Sequence, residues 1–160
     1  YRMPTEKLVG GWAAHTPSPY KLTLKAPRRI THDNRLRNCG PLLTAFCGVA
    51  GSLGDKLGVL LFQLPPTAKK DLTLFDAFLS DLPPGARAAF EFRHASWLDG
   101  EVFERLRRRN LALCVAANGE IGKFLLGCQW HVAASYRPLM GSCSGAQADG
   151  SSPASCAASR

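Results

Sequence analysis

Gly58-Val59-Leu60-Leu61-Phe62-Gln63-Leu64 is apolar along its whole length apart from one glutamine, and it stops at Pro65-Pro66. A strand with one wet face alternates apolar and polar residues. A strand without that alternation is buried on both faces, as in a parallel sheet covered by helices. The neighbouring segments agree. Upstream, Tyr20-Lys21-Leu22-Thr23-Leu24-Lys25 alternates with period two and ends before Pro27, which predicts a strand. Downstream, residues 88–93 and 111–116 predict two more.

The stretches between these strands carry helical spacing. Thr5 is placed to cap a short helix with Leu8, Val9 and Trp12 on one side, although Gly10-Gly11 weakens its middle. Pro41 suits the first turn of a second helix, with Leu42, Phe46, Val49, Ala50 and Leu53 as its apolar face and Gly54 as its stop. Asp71 caps a third, which brings Phe75, Phe78, Leu79 and Leu82 to one stripe. A fourth, over residues 100–109, turns Val102, Phe103 and Leu106 inward. The order is βαβαβαβ, an α/β architecture with parallel strands. An open doubly wound sheet and a (β/α)8 barrel both satisfy it, and both place function at the carboxyl ends of the strands.

With 160 residues, 46% apolar and 20% charged, the chain has the length and composition of one globular domain. It contains no apolar run of the roughly 18 to 20 residues that a membrane span needs. Nor does its start show a basic-then-apolar signal pattern. The expectation is a soluble, cytoplasmic protein without a membrane partner. Six cysteines (Cys39, Cys47, Cys114, Cys128, Cys143, Cys156) include no C-x-x-C pair, so free thiols in a reducing compartment are expected. Residues 141–160 hold sixteen Gly, Ser, Ala or Cys in twenty positions, too few core-forming groups for packing. Residues 1–118 are therefore read as the folded domain and 119–160 as a divergent, disordered tail, with Gln129-Trp130-His131-Val132-Ala133 as a short strand within it.

The net charge of +8 is uneven, with 17 of the 20 Lys and Arg in residues 1–109 against 10 of the 12 acids. One basic run is Lys25-Ala26-Pro27-Arg28-Arg29 with Arg35 and Arg37; the other is Arg105-Leu106-Arg107-Arg108-Arg109. Basic surface attracts phosphates without naming the polyanion, so the expected partner is a phosphate-bearing ligand or nucleic acid. The second run closes a helix that opens with Glu101 and Glu104. Glu101-Arg105 and Glu104-Arg108 then pair at i,i+4, which reads as a solvated face.

Four segments, in order, resemble the YecE-like family of TIM-barrel proteins, a domain of unknown function. They are Tyr1-Arg2-Met3-Pro4; Lys25-Ala26-Pro27-Arg28-Arg29-Ile30-Thr31-His32 with Leu36; Leu61-Phe62-Gln63-Leu64-Pro65-Pro66; and Phe90-Glu91-Phe92-Arg93-His94 with Ser96-Trp97. The resemblance covers residues 1 to about 116 and implies a (β/α)8 barrel with the polar ends of these motifs at its catalytic face. Family members carry further sequence before the Tyr-Arg-x-Pro motif and an Asp after the strand that here ends at Ala116, where this chain has Ala117-Asn118. A barrel of this type takes roughly 250 residues. The expectation is a partial, incomplete barrel: an internal piece with an altered end.

Chemistry concentrates at the tips of these strands. Glu91 and Arg93 stand two positions apart in an apolar strand, an arrangement that is costly unless the two satisfy each other or meet a ligand. Sharing one face, they project into the top of the barrel, with His94 opening the loop and Trp97 forming a wall. Arg93, Lys25, Arg28 and His32 are candidates for binding a phosphate or carboxylate, and Gln63 for orienting it. Glu91 and His94 are the candidate acid-base pair. The competing reading is a buried ion pair that closes the barrel core. No H-x-H or H-E-x-x-H spacing is present, so no metal is assigned, and no cofactor is specified. Without a nucleophile elbow, P-loop, dinucleotide fingerprint or C-x-x-C, serine acyl transfer, NTP hydrolysis, nicotinamide chemistry and thioredoxin-like redox work have no support in the sequence. Three functions remain: a hydrolase of phosphodiester or related bonds, a noncatalytic phosphate-ligand or nucleic-acid binder, and a nonfunctional truncated fragment.

Overall fold

Each strand returns to the sheet through a helix, and each new strand adds on the same side of the last. The computed structural model describes residues 2–114. Its elements are α1 (Glu6–His15), β1 (Leu22–Lys25), a π-helical turn (Arg29–Asp33), α2 (Gly40–Gly51) and β2 (Leu57–Gln63). They continue with α3 (Leu72–Asp81), β3 (Ala88–Glu91), a 3-10 turn (Ala95–Trp97), α4 (Gly100–Arg108) and β4 (Ala112–Cys114). All strand pairs are parallel and the spatial order is β1-β2-β3-β4. A doubly wound sheet reverses its order at a switch point; this sequence-ordered sheet does not, which is the winding of a TIM-type barrel. The predicted tail and the strand at 129–133 lie outside the described residues.

Register decides which side chains share a face. Leu61 pairs with Lys25 and Ala89, while Gln63 pairs with Glu91, which pairs with Cys114. Because partners in register point the same way, Lys25, Gln63, Glu91 and Cys114 belong to one face of the sheet. Phe62 and Phe90, one position out of phase, belong to the other. Their rings stack 5.3 Å apart and meet Phe46, Phe75 and Phe78 from α2 and α3 edge to face. This is the core, and such ring pairs add about 0.5–1.5 kcal/mol each beyond the area they bury.

The helices begin where capping chemistry places them. Thr5 Oγ1 accepts from the Leu8 amide at 3.3 Å, and Asp71 Oδ1 accepts from the Leu74 amide at 3.0 Å. The stripe on α3 is the expected one, with Phe75, Phe78, Leu79 and Leu82 all buried. On α2 the buried line is Leu43, Phe46 and Ala50, with Leu42 and Val49 only flanking it. Since Leu42 and Leu43 are adjacent, helical period alone does not choose between them; the rotation of α2 over Phe62 does. Phe103 likewise is half-buried, while Val102 and Leu106 carry the inner face of α4. Gly58 sits where β1 and β2 slip register: a Cβ there would lie 3.2 Å from the Leu22 carbonyl oxygen, so any larger residue would push the two strands slightly apart.

Candidate anion site at the strand tips

The carboxyl ends of β1, β2 and β3 are joined by one chain of side-chain hydrogen bonds. Lys25 Nζ, on the last residue of β1, donates to Gln63 Oε1 on the last residue of β2. Gln63 Nε2 in turn donates to Glu91 Oε1 on the last residue of β3 at 2.6 Å, and Arg93 Nε donates to the same oxygen at 2.9 Å. Gln63 is 7% exposed and Glu91 6%, so neither amide nor carboxylate is solvated from most directions. Burial of a carboxylate is tolerable here because a guanidinium and an amide compensate it. Both donors converge on Oε1. Oε2 carries no hydrogen bond among the described residues, and Arg93 keeps 48% of its side-chain surface exposed.

A second group of cations gathers beside this chain. After β1 the backbone turns through the π-helical segment and passes Arg35, Leu36 and Asn38, all with positive φ. Leu36, at φ 70°, is kept in that costly conformation by a side chain 2% exposed and by its amide bond to the Ile30 carbonyl. His32 rides on this braced loop, with Nδ1 2.9 Å from the Thr31 hydroxyl. Burial holds the His32 imidazole below its ordinary protonation range, and the positive charges of Arg28, Lys25 and Arg93 push it further, against a smaller opposite pull from Asp33. Lys25, Arg28, His32 and Arg93 thus share one electropositive region. Arg28 itself is exposed and paired with Asp33 at 3.1 Å, which makes it the outermost member.

His94 and Trp97 have different surroundings from these. Trp97 is 2% exposed: its indole stacks on Phe92 at 4.6 Å with 5° between planes and donates from Nε1 to the Ala68 carbonyl at 2.8 Å. The ring packs in the core beneath the loop instead of offering a face to a ligand. His94 caps the 3-10 turn, its Nδ1 bonded to the Ser96 amide at 3.1 Å and 2.8 Å from the Ser96 hydroxyl. Ser96 Oγ also receives the Lys70 amide at 2.8 Å, while Lys70 Nζ pairs with Asp99 at 2.5 Å, so the loops after β2 and β3 are tied together. The hydrogen bond from Lys70, followed by that from the Glu101 amide, keeps the Asp99 carboxyl below its usual range against a smaller opposite push from burial.

Two residues at the tips escape sequence reasoning. Cys114, level with Glu91, has its thiol pushed up by burial and then by the Glu91 charge, so it stays protonated beside the carboxylate. Ser96 holds the His94 ring; a polar residue two after a loop histidine is the local signal for such a cap. No group of three or more His, Cys, Asp or Glu placed to hold a metal occurs among the described residues. A groove on the outer layer, lined by Asp76, Leu79, Glu101, Arg105 and Arg108, shares no residue with the strand tips.

The family model described as "Protein of unknown function DUF72" matches residues 1–141. The chain belongs to the DUF72 family. Its DUF72 relatives include the UPF0759 protein YecE of Escherichia coli K12, 30% identical over 110 residues that make up 68% of this chain and 40% of that protein. Among solved structures, a DUF72 family protein from Thermotoga maritima superposes with a TM-score of 0.60 at 23% identity, covering 71% of this chain and 46% of the other. One from Enterococcus faecalis V583 gives 0.59 at 17% identity, covering 71% and 50%. This DUF72 chain therefore spans half or less of the length of those proteins. The shared fold agrees with the barrel-type winding of the sheet. No helix among the described residues is long and apolar enough to cross a membrane.

Proposed function

We propose that the carboxyl-terminal face of this half of the barrel binds an anionic ligand, a phosphate or carboxylate, and that the site performs hydrolysis with Glu91 as base. The observation that carries the reading is the bonding of Glu91: Gln63 and Arg93 both donate to Oε1, and among the described residues nothing donates to Oε2, which is placed to meet a ligand or water. An ionised carboxylate accepts on both oxygens, so Oε2 keeps acceptor capacity for a ligand or water. Arg93 is half-exposed and next to that carboxylate, so its guanidinium is placed to take a ligand oxygen as well. Lys25 adds positive charge on the β1 side, and His32 beside it stays neutral as a hydrogen-bonding group.

A small ligand fits better than a polyanion. Extended nucleic-acid binding needs a stripe of available cations, and the second arginine run does not provide one. Arg105 pairs with Asp76, Arg107 and Arg108 with Glu104, and Arg109 donates to the Leu79 carbonyl. Titration of inorganic phosphate followed on the Arg93 Nε–H resonance tests the reading: a saturable shift supports it, and an unmoved resonance at millimolar phosphate rejects it.

A further inference from the structure

We infer that Ser96 is a positioning residue that fixes His94 in the tautomer protonated on Nε2, so that His94 meets a ligand oxygen as a hydrogen-bond donor and not as a base. This rests on the anion-site reading above and assigns His94's role within it. A backbone N–H can only donate. The Ser96 amide, 3.1 Å from His94 Nδ1, therefore finds a lone pair there, and the proton of the neutral ring sits on Nε2. The Ser96 hydroxyl adds a second constraint. It accepts from the Lys70 amide at 2.8 Å, which turns its own proton toward Nδ1, also 2.8 Å away.

The ring is thus anchored along one edge by two donors, and one of these is itself oriented by the neighbouring loop. Nε2, on the opposite edge, has no hydrogen bond among the described residues, and His94 is only half-buried. A neutral imidazole presented this way polarises a ligand oxygen without drawing off a proton. The base role is then left to Glu91 Oε2. The substrate class that suits this pairing is a phosphate or carboxylate ester. One oxygen would take the Nε2–H while Glu91 draws a proton from the attacking water; the water oxygen bonds to the phosphorus or acyl carbon, the bond to the ester oxygen breaks, and the departing alkoxide takes the proton from Glu91.

Long-range proton–nitrogen correlation spectra of the full chain read the tautomer directly and need no ligand. The expected result is an unprotonated Nδ1 and a protonated Nε2 in the neutral His94 ring. Ser96→Ala removes the hydroxyl anchor and keeps the amide, so both nitrogens shift only part of the way toward tautomer-averaged values and inorganic phosphate binding weakens by about threefold to tenfold, the equivalent of one hydrogen bond. Ser96→Thr restores both. A predominant Nδ1–H form in the unaltered protein overturns the inference, as does a Ser96→Ala spectrum and phosphate affinity identical to the parent. Failure of phosphate to bind the parent at all would reject the anion-site reading, and the ligand-free spectrum would still decide the tautomer.

Discussion

Gln63 and Glu91 stand in register on neighbouring parallel strands and share a 2.6 Å hydrogen bond in which the amide donates to the carboxylate. The same amide takes Lys25 on its oxygen, so Gln63 is the link between a cation on β1 and an anion on β3. Gln63→Leu keeps the size of the side chain and removes both bonds, stripping a buried carboxylate of one donor. Stability is expected to fall by about 1–3 kcal/mol, read from the shift of the urea midpoint at constant slope. An unchanged midpoint would mean that the link is not made in solution.

His32 is expected to titrate below its ordinary value of 6.5 because burial and the charges of Arg28 and Lys25 disfavour the imidazolium. The unfolded chain then binds this proton first as pH falls. His32's contribution to stability is therefore full above about 6.5, declines as pH drops toward the folded-state value, and levels off below it. Proton NMR of the His32 ring checks the midpoint. Lys25→Met should raise it, and phosphate bound among these cations should raise it too; a midpoint at or above 6.5 in the parent contradicts the placement.

Trp97 separates packing from binding. Trp97→Phe loses the bond to the Ala68 carbonyl and is expected to cost on the order of 1 kcal/mol, while Trp97→Ala costs about 3–5 kcal/mol through the cavity left against Phe92 and Phe75. Phosphate affinity should be unaltered in Trp97→Phe. A tenfold loss of affinity with an unmoved melting temperature would return the indole to the site.

On α4 the partner of Arg105 is Asp76 of α3, at 2.7 Å, and not the Glu101 carboxylate one turn earlier, whose backbone carbonyl it contacts instead. A double-mutant cycle should find favourable coupling between Arg105 and Asp76 and a weaker one between Arg105 and the Glu101 side chain. Glu104-Arg108, by contrast, pairs as its spacing predicts.

What the sequence makes legible follows from how local its causes are. The unbroken apolar run at Leu60, Leu61 and Phe62 implies a strand covered on both faces, and the caps at Thr5 and Asp71 are encoded within three residues. Glu91 and Arg93 are conspicuous because a lone buried charge is so costly, and period two puts them on one face, where they pair at 2.9 Å. Gln63 is legible as the single polar residue of its strand. The rest depends on contacts across the chain: the rotation of α2 that buries Leu43, the proximity of α3 that captures Arg105, and the tie from Lys70 to Ser96 that fixes His94. Trp97 shows the same limit. Its position beside the polar cluster suggests a wall, while the direction of its ring, set by Phe92 and Ala68, places it in the core.

The central claim is that Arg93 serves a ligand as well as Glu91. Calorimetric titration of inorganic phosphate into the parent and into Arg93→Ala, with unfolding midpoints measured on the same samples, tests it most directly. The account predicts one saturable site in the parent and at least about a tenfold loss of affinity in Arg93→Ala, as expected for a charge-assisted bond, beside a stability loss of about 1–3 kcal/mol as Glu91 loses one donor. A variant that unfolds earlier but binds phosphate as the parent does would contradict it and leave Glu91 and Arg93 as a structural ion pair.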